Sequence, residues 1–178
     1  MACALKNNRA QGRPAFPPPA AACAAACAVA LSLLVGAAGA APYELRGFVV
    51  GTHDGDTITL LDSSNVQHKI RLAEIDAPEL KQPHGQDAKQ ALSKMVHGKS
   101  VVVNVANRDR YGREVGNVLV NGVDVNGSMV RYGYAFCYRA YKHRPEVEKY
   151  EDEARESKRG VWADKSRVYP WDYRKKKR

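Results

Sequence analysis

An α+β fold, mainly a small β-barrel, is what this chain predicts, and three observations predict it. From Glu44 onward, short alternating apolar and polar runs are separated by turn clusters. A segment of helical period interrupts them after the third run, and further helical segments close the sequence. Residues 45–50, 57–61 and 66–75 read as the first three strands. His53-Asp54-Gly55-Asp56 and Asp62-Ser63-Ser64-Asn65 are the turns between them. Over residues 86–95 the period changes: Ala88, Ala91, Leu92, Met95 and Val96 fall at helical spacing, and Gly98 follows as a stop. Residues 101–105 and 115–120 return to strand character, with Asn121-Gly122 as a tight hairpin turn into Val123. Two helices follow, over residues 126–131 with a stop at Gly133, and over residues 145–159 with Pro145 in the first turn and Gly160 at the end. Five strands with a helix inserted after the third, and about three helices in all, is the order of a five-stranded Greek-key OB-fold barrel.

The chain has 178 residues, and its 28 Lys and Arg outnumber 19 Asp and Glu for a net charge of +9. That length suits one domain plus non-globular sequence, and the charge calls for an anionic partner. A multi-pass membrane protein, a collagen-like or coiled-coil chain and a disulfide-stapled miniprotein are excluded by composition.

Residues 1–40 read as a secretion signal. Lys6, Arg9 and Arg13 make a positive start without acidic residues. A Pro-rich stretch over residues 14–19 precedes an apolar block over residues 20–41 whose only hydroxyl is Ser32, and Ala38-Gly39-Ala40 is a small-x-small cleavage site. The alternative is an uncleaved membrane anchor, because 22 residues just span a bilayer. The Ala-rich composition and the cleavage signal favour removal. The mature chain of 138 residues stays basic at +6 and is expected to be secreted or periplasmic. It divides into a domain over residues 41–168 and a basic tail over residues 169–178, in which Lys175-Lys176-Lys177-Arg178 is read as solvated. Cys3, Cys23 and Cys27 lie in the signal, which leaves Cys137 alone and without a disulfide partner, as a small buried apolar side chain. The five histidines form no H-E-x-x-H pair, so no zinc site is predicted.

Three clusters carry chemistry: Asp54-Gly55-Asp56-Thr57, Arg71-Leu72-Ala73-Glu74-Ile75-Asp76-Ala77-Pro78-Glu79, and Asp109-Arg110-Tyr111-Gly112-Arg113. Taken singly they read as a hairpin turn, a strand with a capping turn, and a basic loop. Their combination and order along a small barrel, behind a secretion signal, resemble the staphylococcal nuclease (thermonuclease) family. The resemblance covers residues 48–162, and Gly160-Val161-Trp162 with Pro170-Trp171-Asp172-Tyr173-Arg174 is similar to the end of its bacterial secreted branch. It implies a calcium-dependent enzyme that hydrolyses phosphodiesters of DNA and RNA with an activated water, leaving 3′-phosphates.

By position, the resemblance makes Asp56 and Asp76 carboxylate ligands of Ca²⁺, with the backbone carbonyl of Ala77 as a third. Residue 77 is Ala where the family's best-known member has Thr, so a hydroxyl is lost and the carbonyl kept. Glu79 matches the general base, Arg71 and Arg113 the phosphate-binding arginines, and Tyr111, beside Arg110, a tyrosine that contacts the nucleotide phosphate. Tyr138 and Tyr141 lie near the family's base-stacking tyrosines, at a different local spacing. Glu74, two residues before Asp76 on the strand, is read as structural or as a support behind the metal ligands. The implied partner is nucleic acid, with no stable protein partner and a monomeric chain.

Elementary chemistry agrees with these roles. Carboxylates and a carbonyl make a hard, all-oxygen donor set suited to Ca²⁺ or Mg²⁺. Planar guanidinium groups stabilise the charge that a five-coordinate phosphorus gathers on its equatorial oxygens. Lys69, Lys81, Lys94, Lys99 and Arg110 are candidates for a groove that follows the polyanion. A non-catalytic OB-fold binder of single strands is the competing class; it has no need of Asp56, Arg71, Asp76, Glu79 and Arg113 together.

Overall fold

A computed structural model of the protein describes residues 41–140 and 143–176. Residues 1–40, expected above to be a secretion signal, and Tyr141 lie outside the described residues. The elements are β1 (Tyr43–Thr52), β2 (Thr57–Asp62), β3 (Gln67–Leu72), β4 (Ile75–Asp76), α1 (Gly85–Val96), β5 (Ser100–Arg108), β6 (Glu114–Val120), β7 (Val123–Asp124), α2 (Val125–Arg131), β8 (Phe136–Cys137), α3 (Pro145–Glu156) and α4 (Pro170–Lys176), with a 3-10 turn at Gly160–Trp162. Among the described residues no helix is long and apolar enough to cross a membrane.

The sheet runs β3-β2-β1-β5-β6, and a parallel pairing of β3 with β6 closes it into a five-stranded barrel. A bulge between Val49 and Gly51 bends β1, which pairs with β2 along its second half and with β5 along its first. Val49, Ile58, Leu60, Ile70, Leu72, Val103 and Val118 are buried in the core. The predicted helical period is realised: Ala88, Leu92 and Val96 of α1 join this core together with Met129 and Val130 of α2 and Val147 of α3. At the hairpin tip, Asn121 and Gly122 take φ values of 49° and 80°, the left-handed pair that a two-residue turn requires. Cys137 is a free, buried thiol whose pKa burial pushes up to about 12, so it is inert at neutral pH.

Beyond the end of α3 at Glu156, where Lys158 takes φ 49° and Gly160 opens the 3-10 turn rather than stopping the helix, two features differ from the sequence expectation. The run over residues 66–75 is two strands rather than one. β3 ends at Leu72, Glu74 takes φ 67°, and β4 leaves the barrel to pair with β8. The break is held by tertiary bonds. The Leu72 amide donates to the Asp56 carbonyl at 2.8 Å, the Ala73 amide to the Gly116 carbonyl at 2.9 Å, and the Tyr138 amide to the Glu74 carbonyl at 2.8 Å. The Glu74 carboxylate accepts from Arg144 Nε at 2.9 Å and is ion-paired with its Nη2 at 2.8 Å. Its carboxylate is thus committed to Arg144. The second difference is α4, a fourth helix where the sequence suggested a tail. Tyr169 and Trp171 stack on each other at 4.7 Å, and both pack edge-on against the buried Phe136 ring. Aromatic burial outweighs the solvation of a short basic segment.

Asn126 holds the bend from within. Fully buried in α2, its Oδ1 accepts from the Val118 amide at 3.0 Å, and its Nδ2 donates to the Ala73 carbonyl at 2.9 Å and to the Gly116 carbonyl at 3.2 Å. Asn126→Ala strands these backbone groups and is expected to lower unfolding free energy by about 2–3 kcal/mol. Urea melts of the two proteins measure it, and a loss under about 0.5 kcal/mol contradicts the bracing role.

His68 on β3 bridges Asp62 at 3.0 Å and Glu114 at 3.4 Å. Burial pulls its pKa down, but the hydrogen bonds to Asp62 and Glu114 outweigh that, and the pKa lies above its ordinary 6.5. The stabilisation is complete below 6.5 and fades as pH rises through the raised native value. The carboxylate contributions of Asp62 and Glu114, whose pKa values are lowered, fade instead on acidification. The melting-temperature gap between the native protein and His68→Gln should therefore be widest near about pH 5.5 and shrink by about pH 8.5. An equal gap at both pH values would rule this out.

Candidate active site

The site assembles where the β1–β2 turn meets the β3–β4 bend. In the turn, the Asp54 carboxylate accepts from the Asp56 amide at 3.0 Å, and the His53 amide donates to the Thr57 carbonyl at 2.9 Å. Gly55 is required by contact: a β-carbon there would lie 2.6 Å from the Ala77 β-carbon and 2.7 Å from that of Ala88. The turn thus presses directly on the strand end that carries Asp76.

Asp56 and Asp76 are both buried, at 6% and 1% exposure. Asp56 Oδ2 accepts from the Ala77 amide at 2.9 Å, and Asp56 Oδ1 from the Thr57 hydroxyl at 3.0 Å. The two carboxylates converge on one nitrogen, Nη2 of Arg71, at 3.2 Å from Asp56 and 3.0 Å from Asp76, while Arg71 Nη1 donates to the Leu72 carbonyl at 2.8 Å. Burial raises the pKa of both acids. Arg71 opposes it at Asp56, and Arg174 and then Arg71 oppose it at Asp76. The pocket therefore places a premium on positive charge beside these oxygens.

Glu79 follows Pro78 in the loop before α1. Its amide donates to Gln82 Oε1 at 3.2 Å, and the Gln82 amide donates back to the Glu79 carbonyl at 2.8 Å. With its side chain 41% exposed, Glu79 Oε1 accepts from Arg174 Nη1 at 2.8 Å. Arg174 also reaches both oxygens of Asp76, Nη1 to Oδ1 at 3.2 Å and Nη2 to Oδ2 at 2.7 Å. Three carboxylates thus face two guanidinium groups.

The structure brings together Asp56, Arg71, Asp76, Ala77 and Glu79. The third sequence cluster forms its own unit at the β5–β6 turn. There Asp109 accepts from Arg113 at 2.7 Å, Arg110 Nη2 donates to the Tyr111 hydroxyl at 2.8 Å, and both arginines lie over the exposed Tyr111 ring, at 4.9 and 5.6 Å. The parallel register pairs Arg71 with Val115, two residues beyond Arg113, so this turn opens beside the strand that carries Arg71. Tyr138 directly follows β8, whose Phe136 pairs with Asp76, and its ring lies 5.8 Å from Trp171. Among the proposed groove lysines, Lys99 instead caps α1, donating to the carbonyls of Lys94 at 3.0 Å and Met95 at 2.8 Å. Arg174 and Gln82 were missed as site residues. The Pro170-Trp171 pair was a usable signal for Arg174, since Pro opens helices and Trp anchors them.

Residues 69–164 match the model of the staphylococcal nuclease homologue family; Asp56 and Arg174 lie outside the matched stretch. An uncharacterized endonuclease of Escherichia coli O157:H7 is 43% identical over 135 residues, covering 75% of this chain and 88% of the relative. Protein ParB of Escherichia coli is 42% identical over 160 residues, covering 83% and 89%. A staphylococcal-like nuclease of Arabidopsis thaliana is 46% identical over 110 residues, covering 62% of this chain, which spans about a third of that plant relative's length. With the closed barrel, the order of the three clusters and these matches in agreement, the chain belongs to the staphylococcal nuclease family.

Proposed function

We propose that this protein is a secreted, calcium-dependent nuclease that hydrolyses phosphodiester bonds of DNA and RNA and leaves 3′-phosphate ends. The observation that carries this reading is the convergence of two buried carboxylates, Asp56 and Asp76, on Arg71, with Glu79 linked to the same cluster through Arg174.

The donor set fits a hard divalent cation. Among the described residues no group of three or more His, Cys, Asp or Glu side chains forms a metal site by itself. Asp56 and Asp76 would therefore hold Ca²⁺ together with the Ala77 carbonyl, water and a phosphate oxygen, an open arrangement in which nucleotide and cation strengthen each other's binding. When bound, the cation supplies positive charge to the phosphate as negative charge builds on it. Glu79 accepts a proton from the attacking water, whose oxygen bonds to phosphorus as the bond from phosphorus to the 5′-oxygen breaks, and that oxygen takes a proton from solvent to leave as a hydroxyl. Arg71 and Arg113 stabilise the equatorial oxygens, and Arg110 and Tyr111 guide the backbone. The positive excess of the chain serves the same polyanion. Residues 1–40 act as the secretion signal, and the domain works as a monomer.

Denatured DNA and RNA incubated with the protein and Ca²⁺ should be cut to fragments bearing 3′-phosphates, and excess chelator should abolish cutting. Binding of single strands without cutting would establish the competing binder, and full activity in chelator would remove the cation from the reading.

A further inference from the structure

The basic end of α4 lies in the carboxylate cluster. Arg174 spans both oxygens of Asp76, at 3.2 and 2.7 Å, and one oxygen of Glu79, at 2.8 Å. A bidentate guanidinium pair of this kind is among the stronger charged contacts available to a protein. It takes up the oxygens of Asp76 that a divalent cation needs. The approach is enforced from several points. Trp171, three residues earlier and so on the same face of α4, packs on Phe136 and beside Tyr138. The Tyr173 hydroxyl donates to the Lys81 carbonyl at 3.0 Å, and Gln82, whose Oε1 accepts from the Glu79 amide, donates through Nε2 to the Val168 carbonyl. The strap is thus fastened to the loop that carries Glu79, and its cation is delivered to Asp76.

We propose that Arg174 is an intramolecular competitor of the divalent cation: it occupies Asp76 and Glu79, and cation uptake requires its withdrawal. The C-terminal helix thereby sets the cation concentration at which the site fills. This rests on the calcium reading above. The sizes follow from mass action, because apparent affinity falls by the fraction of molecules in which the site is open. If the guanidinium is seated in ~90% of molecules, apparent affinity is weakened tenfold.

Calorimetric titration of Ca²⁺ into the full chain at neutral pH, without nucleic acid, tests this for the native protein, Arg174→Gln, Arg174→Lys and Asp76→Asn. Arg174→Gln should bind Ca²⁺ about tenfold or more tightly than the native protein. Arg174→Lys, which keeps the charge and loses the fork, should fall between them. In the native protein, Ca²⁺ should also shift the guanidinium NMR signals of Arg174 as its ion pairs are released. Equal or weaker Ca²⁺ affinity in Arg174→Gln overturns the proposal and makes Arg174 a group that positions the carboxylates. If neither the native protein nor Arg174→Gln shows Ca²⁺ binding that is lost in Asp76→Asn, the calcium reading itself fails and the competition with it. Thermal melts show that each variant is folded.

Discussion

Glu79→Gln is expected to lower kcat by about 10²–10⁴-fold, the usual range for loss of a general base, with nucleotide affinity nearly unchanged. Gln keeps the length and the accepting oxygen that meets Arg174, and it loses only the capacity to take a proton. The loop has its own supports, since the backbone bonds between Glu79 and Gln82 do not involve the Glu79 carboxylate. A parallel fall in turnover and affinity would make Glu79 a structural or cation-site residue. An unchanged kcat would place the base elsewhere. Glu74 is a poor substitute, because its carboxylate is committed to Arg144 and lies in a backbone turn of left-handed conformation.

Asp76→Asn is expected to eliminate Ca²⁺-dependent turnover at any practical Ca²⁺ concentration while the fold survives. The residue is 1% exposed, and burial already raises its pKa, so a neutral isostere removes a desolvation cost while leaving Arg71 and Arg174 short of one anion. Arg71 keeps Asp56 and Arg174 keeps Glu79, so the loss should stay below the about 3–5 kcal/mol of a fully broken buried pair. One carboxylate and one carbonyl are too few protein ligands to keep a hard divalent cation against water. Turnover measured across a Ca²⁺ titration, beside a urea melt, separates the cases. Native turnover with an unchanged Ca²⁺ midpoint would show that Asp76 is not a ligand.

Barrel and helix order were legible because each rests on local periodicity. The two-residue period of β2 and the helical spacing of Ala88, Leu92 and Val96 are properties of neighbouring residues. The Asn121-Gly122 turn and the stops at Gly98 and Gly133 follow from backbone sterics alone. The grouping of Asp56, Arg71, Asp76 and Glu79 was legible for a different reason. They occupy ordered motifs, and the resemblance supplied the proximity that composition could not.

What remained hidden is non-local. The break after Leu72 depends on carbonyls of Asp56 and Gly116 and on the Arg144 guanidinium, 70 residues from Glu74 in sequence. Asn126 looks like an ordinary polar residue at a helix start until three backbone partners surround it. The chain by itself determined the order of the barrel strands and of the first three helices, the residue types of the three clusters and the family they resemble, because these depend on residue type and spacing. Only the tertiary structure decided that the basic C-terminal end is a helix and that Arg174 reaches carboxylates 95 and 98 residues away. Burial of Tyr169 and Trp171 against Phe136, and the demand of buried Asp76 for positive charge, are properties of a packed interior that no local pattern encodes.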